Sequence, residues 1–317
     1  MALPSLLQNL RIPVVAAPLF IVSNPKLAIA QCTSGIVGSF PSLNARPIEQ
    51  LDEWLHEVAE ARAAHDASNP THKAGPLAVN LIVHKSNGRL QEDLKLCEKH
   101  KIEMIITSLG AMEEVNQAVH GWGGIVMHDV INQRFAHKAV EKGADGLIAV
   151  AAGAGGHAGA LSPFALVQEL REWFDGPLAL SGSIATGRGV LAARAMGADL
   201  GYIGSAFIAT HEANATEGYK QGIVDSGGED IVYTNLFTGV HGNYLRSSIE
   251  QAGMDPDNLP ESDPSAMNFG SGGNTDAKAW KDIWGSGQGI GAVDSICSTH
   301  ELVDRLEREY NEAKSAL

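Results

Sequence analysis

Eight short, apolar, β-rich runs recur along the first two-thirds of the chain. They are Val14–Ala17, Ile36–Phe40, Leu77–Val83, Met104–Ser108, Gly124–His128, Gly146–Val150, Leu178–Ser181 and Leu200–Ser205. Runs that are apolar throughout suit strands buried on both faces, as in a parallel sheet. The segments between them read as helices. Pro47–Arg62 places Ile48, Leu51, Leu55 and Val58 at helical spacing, and Pro163–Phe174 does the same with Leu166, Leu170 and Trp173. Ser162 before Pro163 reads as an N-cap followed by a proline at the first helical position. Eight β–α units in order predict a (β/α)8 TIM barrel; a doubly wound open sheet shares the same periodicity.

Beyond about Thr210 the pattern changes. Glycine, asparagine and acidic residues dominate stretches such as Asp225–Asp230 and Met254–Asp276. The expected organisation is a barrel over residues 1–209 and a mostly helical, loop-rich appendage over 210–317 that closes over the active-site end.

The balance of 23 basic against 37 acidic residues gives a net charge of −14. That leaves no global basic field for nucleic acid or an anionic membrane, though a local pocket can still take a small anion. The three cysteines, Cys32, Cys97 and Cys297, form no CxxC pair. A disulfide framework and a zinc site are therefore not expected, and a reducing cytoplasm fits. The N-terminus does not read as a signal peptide, and no run of about 18 apolar residues predicts a membrane span. No HxH, HExxH or carboxylate cluster suggests a metal.

In either parallel architecture, ligands bind at the C-terminal ends of the strands. The residues there are polar or glycine: Pro18, Asn80, Ser108, His128–Asp129, Ala151–Gly159, Ser181–Gly189 and Gly204–Ser205. The last two stretches give the clearest signal. Glycine lets a phosphate approach backbone N–H groups, a helix start adds a favourable dipole, and barrels frequently hold phosphate after strands seven and eight. Gly182, Ser183, Gly204 and Ser205 are thus the candidate phosphate cradle; the plainer reading is tight turns. Among the 12 histidines, His157 stands out in a small-residue loop at a strand end, where a base has room to reach a substrate. His128 beside Asp129 is a second candidate for ligand contact, although adjacent strand residues point to opposite faces. GxSxG is absent, and Cys32 and Cys97 fall in helical patterns that suit the core. Chemistry without a protein nucleophile or metal points to an organic cofactor.

Several segments together resemble the nitronate monooxygenases, FMN-dependent barrels once called 2-nitropropane dioxygenases. The resemblance is carried by PVVAAPLF, LAVNL, HDV, GADGLIAVAAGAGGHAG, LSGSIATGRGVLAARAMGADLGYIGSAFIAT and GSGQGIG (Gly285–Gly291). It implies FMN as cofactor, with the isoalloxazine against Ala17, Pro18 and Leu19 and near Asn80, His128 and Gly155. It also implies phosphate at Gly182, Ser183, Gly204 and Ser205, Gln288 reaching the flavin, and His157 as the catalytic base. The implied reaction takes a small alkyl nitronate and O2 to a carbonyl compound and nitrite. A homodimer is compatible with it. The sequence departs from the family at Leu19, where methionine is common, at Ser183, where a second glycine is usual, and at Asp129, where some relatives carry lysine. The alternatives are an NAD(P)H-dependent flavin reductase on the same barrel, of the quinone or enoyl-ACP type, and a non-catalytic flavin-binding protein.

Overall fold

A computed structural model describes residues 3–262 and 282–317. The part of the stretch Met254–Asp276 after residue 262 lies outside the described residues. The strands are β1 (Val14–Ala16), β2 (Gly38–Pro41), β3 (Leu77–Ile82), β4 (Met104–Ser108), β5 (Ile125–Val130), β6 (Gly146–Val150), β7 (Gly156–His157), β8 (Leu178–Ser181), β9 (Leu200–Ile203), β10 (Ile231–Thr234) and β11 (Gly242–Leu245). Eight of them pair in parallel in the order β1-β9-β8-β6-β5-β4-β3-β2. The two ends of that order meet. Ala16 N–H donates to the Val37 carbonyl at 2.9 Å, and Val37 N–H donates to Val14 at 3.2 Å. The sheet is therefore a closed barrel with alternating helices outside, which decides against the open sheet.

Alternation along each strand divides the core. Val15, Ala78, Met104, Ile106, Met127 and Ile148 point inward and pack together inside the barrel. Leu6 and Leu7, from the short helix Ser5–Gln8, join this cluster and plug the N-terminal end. The intervening residues, such as Leu81, Ile105, Val126 and Leu147, pack outward under the helices. Strand β5 runs two residues past the expected end at His128, so Asp129 lies within the strand. The helix expected over Pro47–Arg62 spans Glu49–Ser68, and the one expected over Pro163–Phe174 spans Pro163–Arg171. Ser162 precedes that second helix without a side-chain capping bond.

The chain after residue 209 does two different things. After β9 comes only a four-residue helix, Ser205–Ile208, too short to cover the barrel there. The cover is instead the helix Thr299–Ser315, which packs on helices Gly187–Ala195 and Pro25–Thr33. Its Leu302, Val303, Leu306 and Tyr310 share one core with Val14, Ala16, Val190 and Ile203. The expected boundary at 209/210 thus cuts through a single hydrophobic cluster. Between these helices, β10 and β11 form an antiparallel hairpin, and β7 adds to it through Gly242–His157 and Asn243–Gly156. The appendage therefore includes strands as well as helices, because the β-prone Ile231–Thr234 run pairs with Gly242–Leu245. Among the described residues, no helix is long and apolar enough to cross a membrane.

Candidate active site

The same alternation that fills the barrel interior decides which side chains line its C-terminal mouth. Asn80, Ser108, Asp129, Val150, Ser181 and Tyr202 stand two positions beyond interior residues and face inward. Three of them form a polar chain. Asn80 Nδ2 donates to the Ile106 carbonyl at 3.1 Å and to Ser108 Oγ at 2.8 Å. Ser108 in turn hydrogen-bonds the Asp129 carboxylate, which also accepts the Leu109 N–H. Leu109 holds φ +63°, a left-handed conformation unusual for a branched side chain. Desolvation outweighs both donors and lifts the Asp129 carboxyl to about 6. The carboxylate in turn raises the half-buried Tyr202 phenol further, on top of its own desolvation.

His128 is turned the other way. It pairs in register with Thr107 and Leu147, on the face where Leu81 and Leu147 meet the helices. Its Nδ1 lies 2.6 Å from Thr107 Oγ1, its ring is 5% exposed, and burial pushes its pKa down to about 4. The expected cofactor contact of His128 is therefore corrected: the ring lies behind the sheet, and its neighbour Asp129 is the one at the mouth.

The loops after β6, β8 and β9 converge with the segment Gly285–Gly289. Gly287 N–H donates to Ser205 Oγ at 2.8 Å, and Gln288 N–H donates to the Gly153 carbonyl at 2.9 Å. A Cβ on Gly155 would sit 2.8 Å from Gly287 N and 3.0 Å from Ser205 Oγ. One on Gly204 would lie 3.2 Å from Leu19 Cδ2 and 3.4 Å from Ala17 Cβ. The structure thus gathers Ala17, Leu19, Gly155, Ser183, Gly204, Ser205 and Gln288 around one side of the mouth, with Pro18 between Ala17 and Leu19 and Gly182 beside Ser183. Gly182 has φ +134° and Ser183 φ +57°. A Cβ on Gly182 would press on the Ala152 carbonyl at 2.8 Å, so this glycine serves loop packing as well as any ligand. The expected helix dipole is engaged elsewhere. At the start of helix Gly187–Ala195, Gly187 N–H donates to Glu309 and Gly189 N–H donates to Thr186 Oγ1. Ser183 N–H donates to the Gly153 carbonyl at 3.3 Å, so the anion-binding groups left at the cradle are the hydroxyls of Ser183 and Ser205 and the other amides of the β8 and β9 loops, with the Ser183 side chain in solvent. Neutral donors beside an open mouth fit a flavin phosphate and ring.

His157 is held by the hairpin. Its Nε2 lies 3.0 Å from Thr238 Oγ1, whose own O–H donates to the Val240 carbonyl at 3.0 Å. A hydroxyl has one proton to give, and placing it on Val240 favours the tautomer in which Nε2 donates and Nδ1 carries the lone pair. Burial pushes this imidazole down to about 4, so it is neutral at pH 7. Asn243 Nδ2 donates to the Ala154 carbonyl at 2.6 Å, and Tyr233 Oη donates to Ala158 at 3.1 Å; together they tie the histidine loop to the hairpin. Phe237 and Tyr244 pack edge to face within the appendage. Cys32 and Cys97 are fully buried with thiols raised by desolvation, which suits core and not chemistry.

Sequence reasoning named Asp129 only as the neighbour of His128, and missed Thr238 and Asn243. Counting the inward period on from Met127 finds Asp129. Nothing local marks the other two, because a strand pairing distant in sequence brings them in.

A family model described as nitronate monooxygenase matches residues 4–309. A nitronate monooxygenase of Paraburkholderia phytofirmans is 26% identical, over 95% of this chain and 93% of that one. The structure of nitroalkane oxidase from Streptomyces ansochromogenes superposes with a TM-score of 0.79 at 22% identity, covering 96% of this chain and 98% of that one. FabK from Thermotoga maritima gives 0.77 at 23% identity, covering 98% and 96%.

Proposed function

Because the chain belongs to the nitronate monooxygenase family, we propose that this oxidoreductase is an FMN enzyme that oxidises small alkyl nitro compounds. The reaction takes the nitronate and O2 to a carbonyl compound and nitrite. The observation that carries the reading is His157, fixed by Thr238 as a neutral base with its lone pair on Nδ1.

Bound FMN supplies a ring that accepts electrons from an electron-rich carbon and passes them to O2. Ser183 and Ser205, with the main chain of Gly182 and Gly204, would hold its phosphate, and Ala17, Pro18, Leu19, Asn80, Gly155 and Gln288 would hold its ring. His157 Nδ1 takes the α-proton of a neutral nitroalkane, and Thr238 keeps the ring from turning. Three free thiols accord with a cytoplasmic location.

The first experiment is a visible spectrum of the purified protein, then anaerobic mixing with a nitronate and, separately, with NADH. A yellow protein bleached by the nitronate and releasing nitrite on admission of air supports the reading. Bleaching by NADH alone moves it to a reductase, and a colourless protein removes FMN. Unchanged turnover of nitroalkane and nitronate in His157→Asn would end the role given to that ring.

A further inference from the structure

The hydrogen-bond chain at the mouth runs in one direction, and its first member decides which. A main-chain carbonyl only accepts, so the Asn80 amide atom 3.1 Å from the Ile106 carbonyl is its nitrogen. That nitrogen gives its other proton to Ser108 Oγ at 2.8 Å. Ser108 keeps its own proton for the Asp129 carboxylate, which also accepts the Leu109 N–H. The chain therefore ends on a half-buried group that receives two donors at the mouth.

The charge of Asp129 is felt across the barrel. Strands β6 and β8 separate β5 from β9 in the sheet order, yet the Tyr202 phenol of β9 responds to this carboxylate. Two residues past Tyr202 the chain reaches Gly204 and Ser205. Among the described residues, Ser108 and the Leu109 N–H act on Asp129 from β4 and its loop, and Val150 of β6, Ser181 of β8 and Tyr202 share its inward layer. His128, next in sequence, is turned behind the sheet, and His157, on the loop after β6, is neutral near pH 7. A ligand over this mouth that gains negative charge gains it within the field of the carboxylate.

We propose that Asp129 couples protons to the electrons held at this site: its carboxylate takes up a proton when a flavin bound over the mouth is reduced, and releases it on reoxidation. This inference rests on the reading of the protein as an FMN enzyme. Two electrons from the nitro substrate and one proton leave the ring with a single negative charge. A second proton neutralises Asp129, and both protons leave when O2 takes the electrons. The coupling is reciprocal: a carboxylate that disfavours reduced FMN about tenfold against oxidised FMN holds its own proton about tenfold more tightly in the reduced state.

The test reads protons and affinity, with no turnover. The flavin-loaded protein is titrated electrochemically from about pH 5 to about pH 9, with visible detection, and the slope of potential against pH counts the protons taken up per electron pair. Asp129→Asn keeps the shape and still accepts from Ser108. Over an interval that opens at about 6, the native protein is expected to take up about one proton more than this variant, and below it the two agree. Above it, the preference for oxidised over reduced FMN is expected to be about tenfold greater in the native protein. Ser108→Ala removes a donor to the carboxylate, so the interval opens at higher pH. The infrared difference spectrum of reduction within the interval gains a protonated-carboxyl band in the native protein and none in Asp129→Asn.

Equal proton counts in native protein and Asp129→Asn, or no carboxyl band on reduction, would overturn the inference and leave the flavin reading intact. A protein that takes up no FMN would remove that reading and the inference with it. The expected proton count in a protein that oxidises no nitro compound would keep Asp129 as the coupling group and remove the substrate instead.

Discussion

Thr238 Oγ1 and His157 Nε2 lie 3.0 Å apart across a strand pairing that joins the hairpin to the loop after β6. That one bond sets which nitrogen of the ring is basic. Thr238→Val keeps the shape and removes the acceptor, so the ring loses its tautomer and its orientation. Turnover of a nitroalkane, which needs the base, is expected to fall about tenfold, while turnover of preformed nitronate changes little. Steady-state kinetics with the two substrate forms reads the difference directly.

Gly155 is where the loops leave no room. An added methyl group would meet main-chain nitrogen of Gly287 at 2.8 Å and Ser205 Oγ at 3.0 Å. Gly155→Ala is expected to cost about 1–3 kcal/mol of stability and to weaken flavin binding through the displaced Ser205. Thermal unfolding and flavin fluorescence titration measure the two effects separately. A variant that retains native flavin affinity would detach the cradle from this packing.

Acid should loosen the fold through its buried imidazoles. His128 and His157 are held near 4, whereas an unfolded histidine titrates at about 6.5. Between those values the unfolded chain binds protons that the native state refuses, so stability falls as the pH drops through that window. His128→Gln removes one of these sites, and its melting temperature should decline less steeply from about pH 6.5 to about pH 4.

Asp129 should give the opposite dependence. Its native pKa lies near 6, above the usual carboxylate value, so the folded state binds the proton more tightly. The associated stability is present at low pH and is lost as the pH rises through about 6. Asp129→Asn is therefore expected to raise the melting temperature near pH 8 and to leave it unchanged near pH 4, as differential scanning fluorimetry at the two values would register.

The barrel was legible because a strand buried on both faces writes itself as an unbroken apolar run. The place of Gly182, Ser183, Gly204 and Ser205 at the strand ends was legible for a similar reason: they follow directly from two such strands. His128 misled because ending β5 at that residue made it look like a strand-end ligand. Two more residues of strand put it on the outer face and brought Asp129 into the mouth. Thr238 was out of reach, since its place beside His157 depends on β7 pairing with β11, and a two-residue strand leaves no periodic trace. The role of Thr299–Ser315 was hidden likewise. Its apolar stripe announces a helix, but only the shortness of Ser205–Ile208 shows which gap it fills.

That helix has a consequence for how the protein is made. Val14 and Ala16 of the first strand find part of their cover on Leu302, Val303 and Leu306. During synthesis the ring must wait, with this flank bare, until nearly three hundred residues of chain separate the two. Domains normally settle from the N-terminus as they leave the ribosome. Here the opening strand is among the last to be sheltered, so a nascent chain stalled before Thr299 would present a greasy seam to chaperones and proteases.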